Sequence, residues 1–211
     1  MARRSRRQSP LAPGVGSMSN QWQDLAANCQ GCERCDLAAT RHQVVVGRGN
    51  PSAQVLLIGE APGQQEDESG QPFVGRAGQL LEKLLCDAGL DSARDLYIAN
   101  VIKCRPPNNR KPTRLEIEQC FPWLQQQLEL MRPPLIVLAG ATALQAMLGI
   151  RGGISKLRGQ WIQQQQRAYL PIFHPSYLLR FSSREPGSPQ GLTLADMQDV
   201  RRRLDRKDWP R

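Results

Sequence analysis

No apolar run in this 211-residue chain approaches the length of a membrane-crossing helix. The start, MARRSRRQSPLAPGVGSMSN, has no apolar stretch behind its arginines, which argues against a secretory signal. Internal repeats are missing. The turn Gly59-Glu60-Ala61-Pro62-Gly63 lacks the Lys-Ser/Thr of a phosphate-binding P-loop, which weakens a nucleotide-phosphate site there. Histidine is scarce, at positions 42 and 174 only. Acidic residues are absent from residues 1–20 and from residues 103–114.

What is present follows from those gaps. The net charge of +9 is concentrated at the ends: residues 1–20 and 201–211 each carry +4, leaving +1 for residues 21–200. Basic ends suit a polyanion, as does the local cluster Lys103, Arg105, Arg110, Lys111 and Arg114. Residues 1–20 read as a disordered basic arm, with Met18 as a second candidate start, and residues 21–211 as one domain.

The apolar pattern alternates strands with helices. Strand-like runs occupy residues 55–58, 96–102, 135–139 and 170–173, with a β-like Val44-Val45-Val46 before them. Helical patterns occupy residues 21–29, 77–88, 142–148 and 192–204. Another begins after Thr113, whose Glu116 stands at capping-box spacing, and runs to about Met131. Gln163 to Gln166 reads as a loop. Such alternation predicts an α/β fold with a parallel sheet covered on both faces. The loops after Ile58, Ile98 and Phe173 then open on one edge, bringing Glu60, Asn100 and His174 to one crevice. The stretch VLLIGEAPGQQEDESGQPFVGRAG is central to this reading.

Six cysteines without a secretory signal argue against structural disulfides. Cys29, Cys32 and Cys35 form C-x2-C-x2-C, any two of which suit one metal centre. Cys104 and Cys120 flank the Pro-rich loop with fifteen residues between them. Four thiolates suit either zinc or an iron–sulfur cluster, and spacing leaves both open. Cys86, among helical leucines, reads as a small core residue.

The segments GEAPGQQED, GQPFVGRAG, YIANVIKCRPPNNRKP and HPSYLLR, in this order, resemble the family 4 uracil-DNA glycosylases, the iron–sulfur class of that superfamily. The resemblance runs from about Cys32 to about Leu204. It implies a three-layer α/β/α sandwich around a four-stranded parallel sheet, and a [4Fe–4S] cluster on Cys32, Cys35, Cys104 and Cys120. It implies a monofunctional hydrolase of base-excision repair that flips uracil from single- or double-stranded DNA. The expected setting is the bacterial cytoplasm, acting at the nucleoid as a monomer without membrane contact. A non-catalytic iron–sulfur nucleic-acid-binding protein of the same fold is the competing reading. A related branch of the superfamily bonds to uracil through a histidine in a KRRIH-like insertion; here RPPNNRKP has none, which disfavours covalent trapping.

The chemistry assigns roles within the matched motifs. The Asn100 amide both donates and accepts, so it suits the 4-oxygen and ring N–H of uracil and mismatches cytosine. A neutral His174 suits donation to the 2-oxygen as charge builds on the leaving base, with the backbone amides of Glu60 and Ala61 sharing that work. Phe73 suits stacking on the flipped base. Family 1 carries an Asp where this chain has Ala61, so Glu60 is the candidate to act in its place. Glu66, Asp67, Asn108 and Asn109 are further candidates to position water, and the Glu66–Glu68 patch is expected to face the pocket or a base. Family 1 has a tyrosine at the step of Gly63 to exclude thymine, so selectivity against thymine rests elsewhere or is looser. DNA contacts are expected from Lys103, Arg105, Arg110, Ser176, Tyr177 and Arg180, with Lys156 and Arg158 adding charge. Tyr177, Leu178 and Leu179 are candidates to wedge the base stack.

Overall fold

Four near-continuous apolar runs become the four central strands, as expected for strands buried on both faces. A computed structural model of the protein describes residues 18–209, so residues 1–17 of the arm expected at 1–20 lie outside the described residues, and its last three residues open the first helix. In chain order the elements are α1 (Met18–Gln30), β1 (Arg48–Gly49), β2 (Val55–Gly59), α2 (Gln64–Ser69), α3 (Arg76–Asp87) and β3 (Leu96–Asn100). There follow α4 (Arg114–Met131), β4 (Leu135–Ala139), α5 (Ala141–Leu148), α6 (Ile154–Leu157), β5 (Ile162–Gln164), β6 (Arg167–Ile172), α7 (Pro175–Leu178) and α8 (Pro189–Arg206). Short 3-10 turns at Asp36–Ala39 and Pro107–Asn109 punctuate the loops.

The sheet order is β1-β3-β2-β4-β6-β5. The four inner strands are parallel, and the two short edge strands are antiparallel to their neighbours. Side chains alternate along each strand, so each strand feeds two cores. Leu56, Ile58, Ala99, Ile136 and Leu138 pack under α1, α4 and α5, with Leu25, Leu124 and Leu144. Val55, Leu57, Ile98, Val137 and Leu170 pack under α3 and α8, with Leu81, Leu85, Met197 and Val200. The result is the expected three layers.

Register explains why the site forms where it does. Gly59 stands opposite Asn100, Ile58 opposite Leu138, and Ala139 opposite Ile172. The four strands therefore end together, and the loops beyond them share one edge. At the start of α4, the Glu116 N–H donates to Thr113 Oγ1 (3.2 Å) and the Thr113 N–H to Glu116 Oε2 (2.7 Å), the reciprocal cap expected from spacing.

Three expectations fail. Gln163–Gln166 is not simply a loop: Gln163 and Gln164 pair with Ala168 and Arg167, and Gln165 and Gln166 turn the hairpin at φ 49° and 61°. Hairpin turns of that hand usually carry Asn-Gly, which is why four glutamines conceal it. Val44-Val45-Val46 is buried but joins no ladder, and the Val45 N–H instead donates to the Lys103 carbonyl at 2.7 Å. Cys86 is exposed on α3, because the helical turn that buries Leu84 and Leu85 carries the next residue outward.

Candidate active site and cysteine centre

A cleft of about 220 Å³ lies at the strand-end edge, lined among others by Glu60, Ala61, Phe73, Asn100, Arg110 and His174. It adjoins a wider one of about 410 Å³ that shares Glu60, His174 and Ser176. The residues assigned to uracil from the sequence thus line one cavity.

Asn100 is 2 % exposed, and its Oδ1 is a buried acceptor with no hydrogen-bond partner. Leaving such an atom unpaired costs about 1–3 kcal/mol, so the cleft holds an acceptor poised for a donor. The side chain fits there because position 59 is glycine. A Cβ on Gly59 would come within 3.0 Å of both Asn100 Oδ1 and the Phe73 ring.

Phe73 is 7 % exposed and held at φ 55°, the left-handed region that a bulky side chain rarely adopts. Two contacts impose this. Gly78 brings α3 directly against the Phe73 carbonyl, where any Cβ would collide. The Glu66 carboxylate accepts from the Val74 and Gly75 N–H groups (2.9 and 2.8 Å) and from that of Gly63 (3.1 Å), tying the Phe73 loop to the loop after β2. The Phe73 ring faces the His174 ring at 5.9 Å between centroids, with 36° between planes.

His174 caps α7, and Pro175 at its first position fixes the entry. The Ser176 backbone N–H donates to His174 Nδ1 (3.2 Å), and Ser176 Oγ lies 2.7 Å from the same nitrogen. A nitrogen that accepts carries no proton, so the neutral ring keeps its proton on Nε2. Burial holds the imidazole below its ordinary pKa, against the opposing pull of the Glu60 and Glu66 carboxylates. Glu60 in turn accepts a hydrogen bond from the Thr142 hydroxyl of α5.

On the flank of this edge, Cys32, Cys35, Cys104 and Cys120 line one small cavity, and Cys29 is not among its lining residues. Three of the four sulfurs accept N–H donors: Cys32 from Trp123 Nε1 (3.2 Å), Cys120 from the Lys103 backbone (3.2 Å) and Cys104 from Arg41 Nη1 (3.6 Å). Burial pushes the Cys104 thiol up to about 12, against the opposing pull of the Arg41 guanidinium. Among the described residues, no three His, Cys, Asp or Glu converge tightly enough to hold one ion.

The comparisons agree with this geometry. The family model described as Uracil DNA glycosylase superfamily matches residues 46–198. The chain is 47 % identical over 158 residues to the type-4 uracil-DNA glycosylase of Thermotoga maritima, covering 73 % of this chain and 81 % of that protein. It is 40 % identical over 164 residues to the type-4 uracil-DNA glycosylase of Archaeoglobus fulgidus, covering 74 % and 82 %. Against a type-5 uracil-DNA glycosylase of Pyrobaculum aerophilum the identity is 32 % over 146 residues, covering 62 % and 64 %.

The chain belongs to the type-4 uracil-DNA glycosylases.

Within this type-4 glycosylase, several residues lie elsewhere than their sequence suggested. Lys103 does not face solvent: it is 1 % exposed, with Nζ donating to the Asn100 carbonyl (2.9 Å) and Gln127 Oε1 (2.7 Å). Arg158 is paired with Asp196 and is only 15 % exposed. Leu178 is fully buried beside Leu84 and Phe173, which removes it as a wedge, whereas Tyr177 and Leu179 are 37 % and 40 % exposed. Asp67 does not line the cleft; it is buried against His42, accepting from the His42 and Gln43 N–H groups. Glu68 is exposed and accepts from Gln64 Nε2 (2.9 Å). Asn108 is exposed and outside the cleft lining, while Asn109 lines it and accepts from Arg105 Nε at 2.7 Å. Arg110 makes a two-pronged pair with Glu116 (2.9 and 2.6 Å), Arg180 lies over the Tyr177 ring (6.0 Å), and Lys156 is exposed.

Sequence reasoning missed Thr142, Gly59 as a spacer, Gly78 and the tying role of Glu66. Only Gly78 left a signal, as a lone glycine inside a helical pattern. Among the described residues no helix is long and apolar enough to cross a membrane.

Proposed function

We propose that the protein excises uracil from DNA by hydrolysing the bond between the base nitrogen and deoxyribose, leaving an abasic site. The observation that carries this is the unpaired, buried Asn100 Oδ1 in a cleft shared with Phe73 and His174. In the proposed complex the ring N–H of a flipped uracil donates to that oxygen, and the Asn100 amide N–H donates to the 4-oxygen. Cytosine would present a lone pair to Oδ1, leaving it unpaired at about 1–3 kcal/mol. Phe73 would stack on the base. Nε2–H of a neutral His174 would donate to the 2-oxygen as negative charge develops, a donor of the kind worth about 100-fold or more in rate. Glu60, oriented by Thr142, would direct water or steady the sugar as it gains positive charge; that route demands little of a base. Ser176 is assigned to orienting His174 as well as to DNA. Arg105, Arg110, Tyr177 and Arg180 remain candidates for contact with the nucleic acid.

Cys32, Cys35, Cys104 and Cys120 would hold a [4Fe–4S] cluster. Four cysteines lining one small cavity suit a cluster of irons, and N–H donors to three of their sulfurs suit bound thiolates. Bound there, the cluster supplies a crosslink between the residue 32–35 turn, the loop after β3 and α4.

The test uses an oligonucleotide with one uracil, followed by alkali. Cleavage at the uracil is expected, sharply reduced in His174→Ala and absent from the matched cytosine oligonucleotide. Binding without any break would favour a non-catalytic DNA-binding protein.

A further inference from the structure

We propose that Lys103 is a positioning residue that couples the cysteine centre to uracil recognition by Asn100; this rests on the function proposed above. Lys103 is the largest of the fully buried side chains. An ammonium withdrawn from water needs fixed acceptors. The two that Nζ finds within hydrogen-bond reach are neutral, the Asn100 carbonyl and Gln127 Oε1, so the side chain joins structural elements. Gln127 is itself oriented, its Nε2 donating to the Val46 carbonyl at 2.9 Å.

The same residue reaches the cysteine centre through its backbone. Its N–H donates to Cys120 Sγ at 3.2 Å, and Cys104 is its chain neighbour. Cys120 and Gln127 both lie on α4, seven residues and so about two turns apart. One helix therefore grips Lys103 at its backbone and at the tip of its side chain. The same Nζ also holds the last carbonyl of β3, that of the residue whose side-chain amide lines the cleft. A shift of the 103–104 loop when the centre is lost would pull the ammonium from that carbonyl and free the uracil-reading amide. A uracil that immobilises Asn100 would resist the same shift. Linkage makes the two effects equal in size.

The experiment follows loss of the centre's visible absorbance in chelator, using the full chain with and without saturating free uracil. Uracil is expected to slow the loss in wild type by about fivefold or more, the low end of ordinary coupling. No slowing is expected in Lys103→Met. Removing the metal should weaken uracil binding in wild type, again by about fivefold or more, and leave it unchanged in Lys103→Met. Gln127→Met, which keeps the lysine but removes an acceptor, should also lose the protection, and Gln127→Glu should keep it; this pair decides the matter if Lys103→Met does not fold. Equal protection in wild type and the variants, no protection in wild type that binds uracil, or a wild type without iron overturns the proposal. Failure of the wild type to release uracil from DNA would instead overturn the function on which it rests.

Discussion

Gly59 and Asn100 stand opposite each other at the end of the β2–β3 ladder, and the Asn100 side-chain oxygen occupies space that a Cβ on Gly59 would enter. The glycine is needed for room and not for backbone freedom, since its φ is not in the left-handed region. Gly59→Ala should therefore fold, at the cost of about 1–3 kcal/mol for overpacking. It should displace the Asn100 amide and the Phe73 ring together, and a displacement of that order costs about 100-fold in kcat/KM. Urea unfolding and steady-state kinetics on uracil oligonucleotides check both halves.

His174 supplies a pH signature. Burial lowers its pKa from the ordinary imidazole value, which favours the neutral ring with its proton on Nε2. If the neutral ring is the working form, kcat should hold as pH falls through about 6.5 and drop only below it. The Ser176 hydroxyl donates to Nδ1 and so favours the neutral ring. Ser176→Ala should move the acid limb of the profile upward and lower kcat by about tenfold, the scale of one hydrogen bond. A flat profile in both proteins, or an acid limb that moves down, would sink this assignment.

Phe73 separates strain from function. A non-glycine residue at φ 55° carries about 1–3 kcal/mol of backbone strain. Phe73→Gly and Phe73→Ala both lose the ring, but only glycine accepts the backbone without cost. Both should lose activity to a similar extent, while Phe73→Gly should be the more stable by about 1 kcal/mol. Equal stabilities in thermal melts would mean the loop relaxes once the ring is gone.

The parts of the fold legible in the sequence are those where one segment carries its own signal. Strands buried on both faces read as apolar runs, and the Thr113–Glu116 cap is local. The convergence of Glu60, Asn100 and His174 follows from topology, because parallel strands in register end together. What stayed hidden depends on neighbours distant in the chain. Lys103 looks like surface charge until the Asn100 carbonyl and Gln127 are seen to enclose its amine. Arg158 likewise waits on Asp196, thirty-eight residues away. The left-handed Phe73 is imposed by Gly78 and Glu66, and nothing in its own tripeptide announces it.

Glu66 is an acid with two possible tasks. It lines the cleft, and backbone N–H groups take three of its four lone-pair sites, Val74 and Gly75 on Oε1 and Gly63 on Oε2, which leaves one for a water. The carboxylate thus holds the Phe73 loop against the turn after β2. Glutamine at this position keeps one acceptor and turns an NH2 toward a donor that needs an oxygen. Hydrogen bonds to a charged group contribute about 1.5–3 kcal/mol, so Glu66→Gln should be less stable by about that much. Hydrogen exchange should accelerate at residue 63 or at residues 74 and 75, whichever side the NH2 takes, while amides in β4 keep their protection. Activity should fall because Phe73 no longer holds its place, so uracil affinity should fall with it. A variant that loses kcat with unchanged stability, unchanged exchange and unchanged uracil affinity would mark Glu66 as acting on water after all.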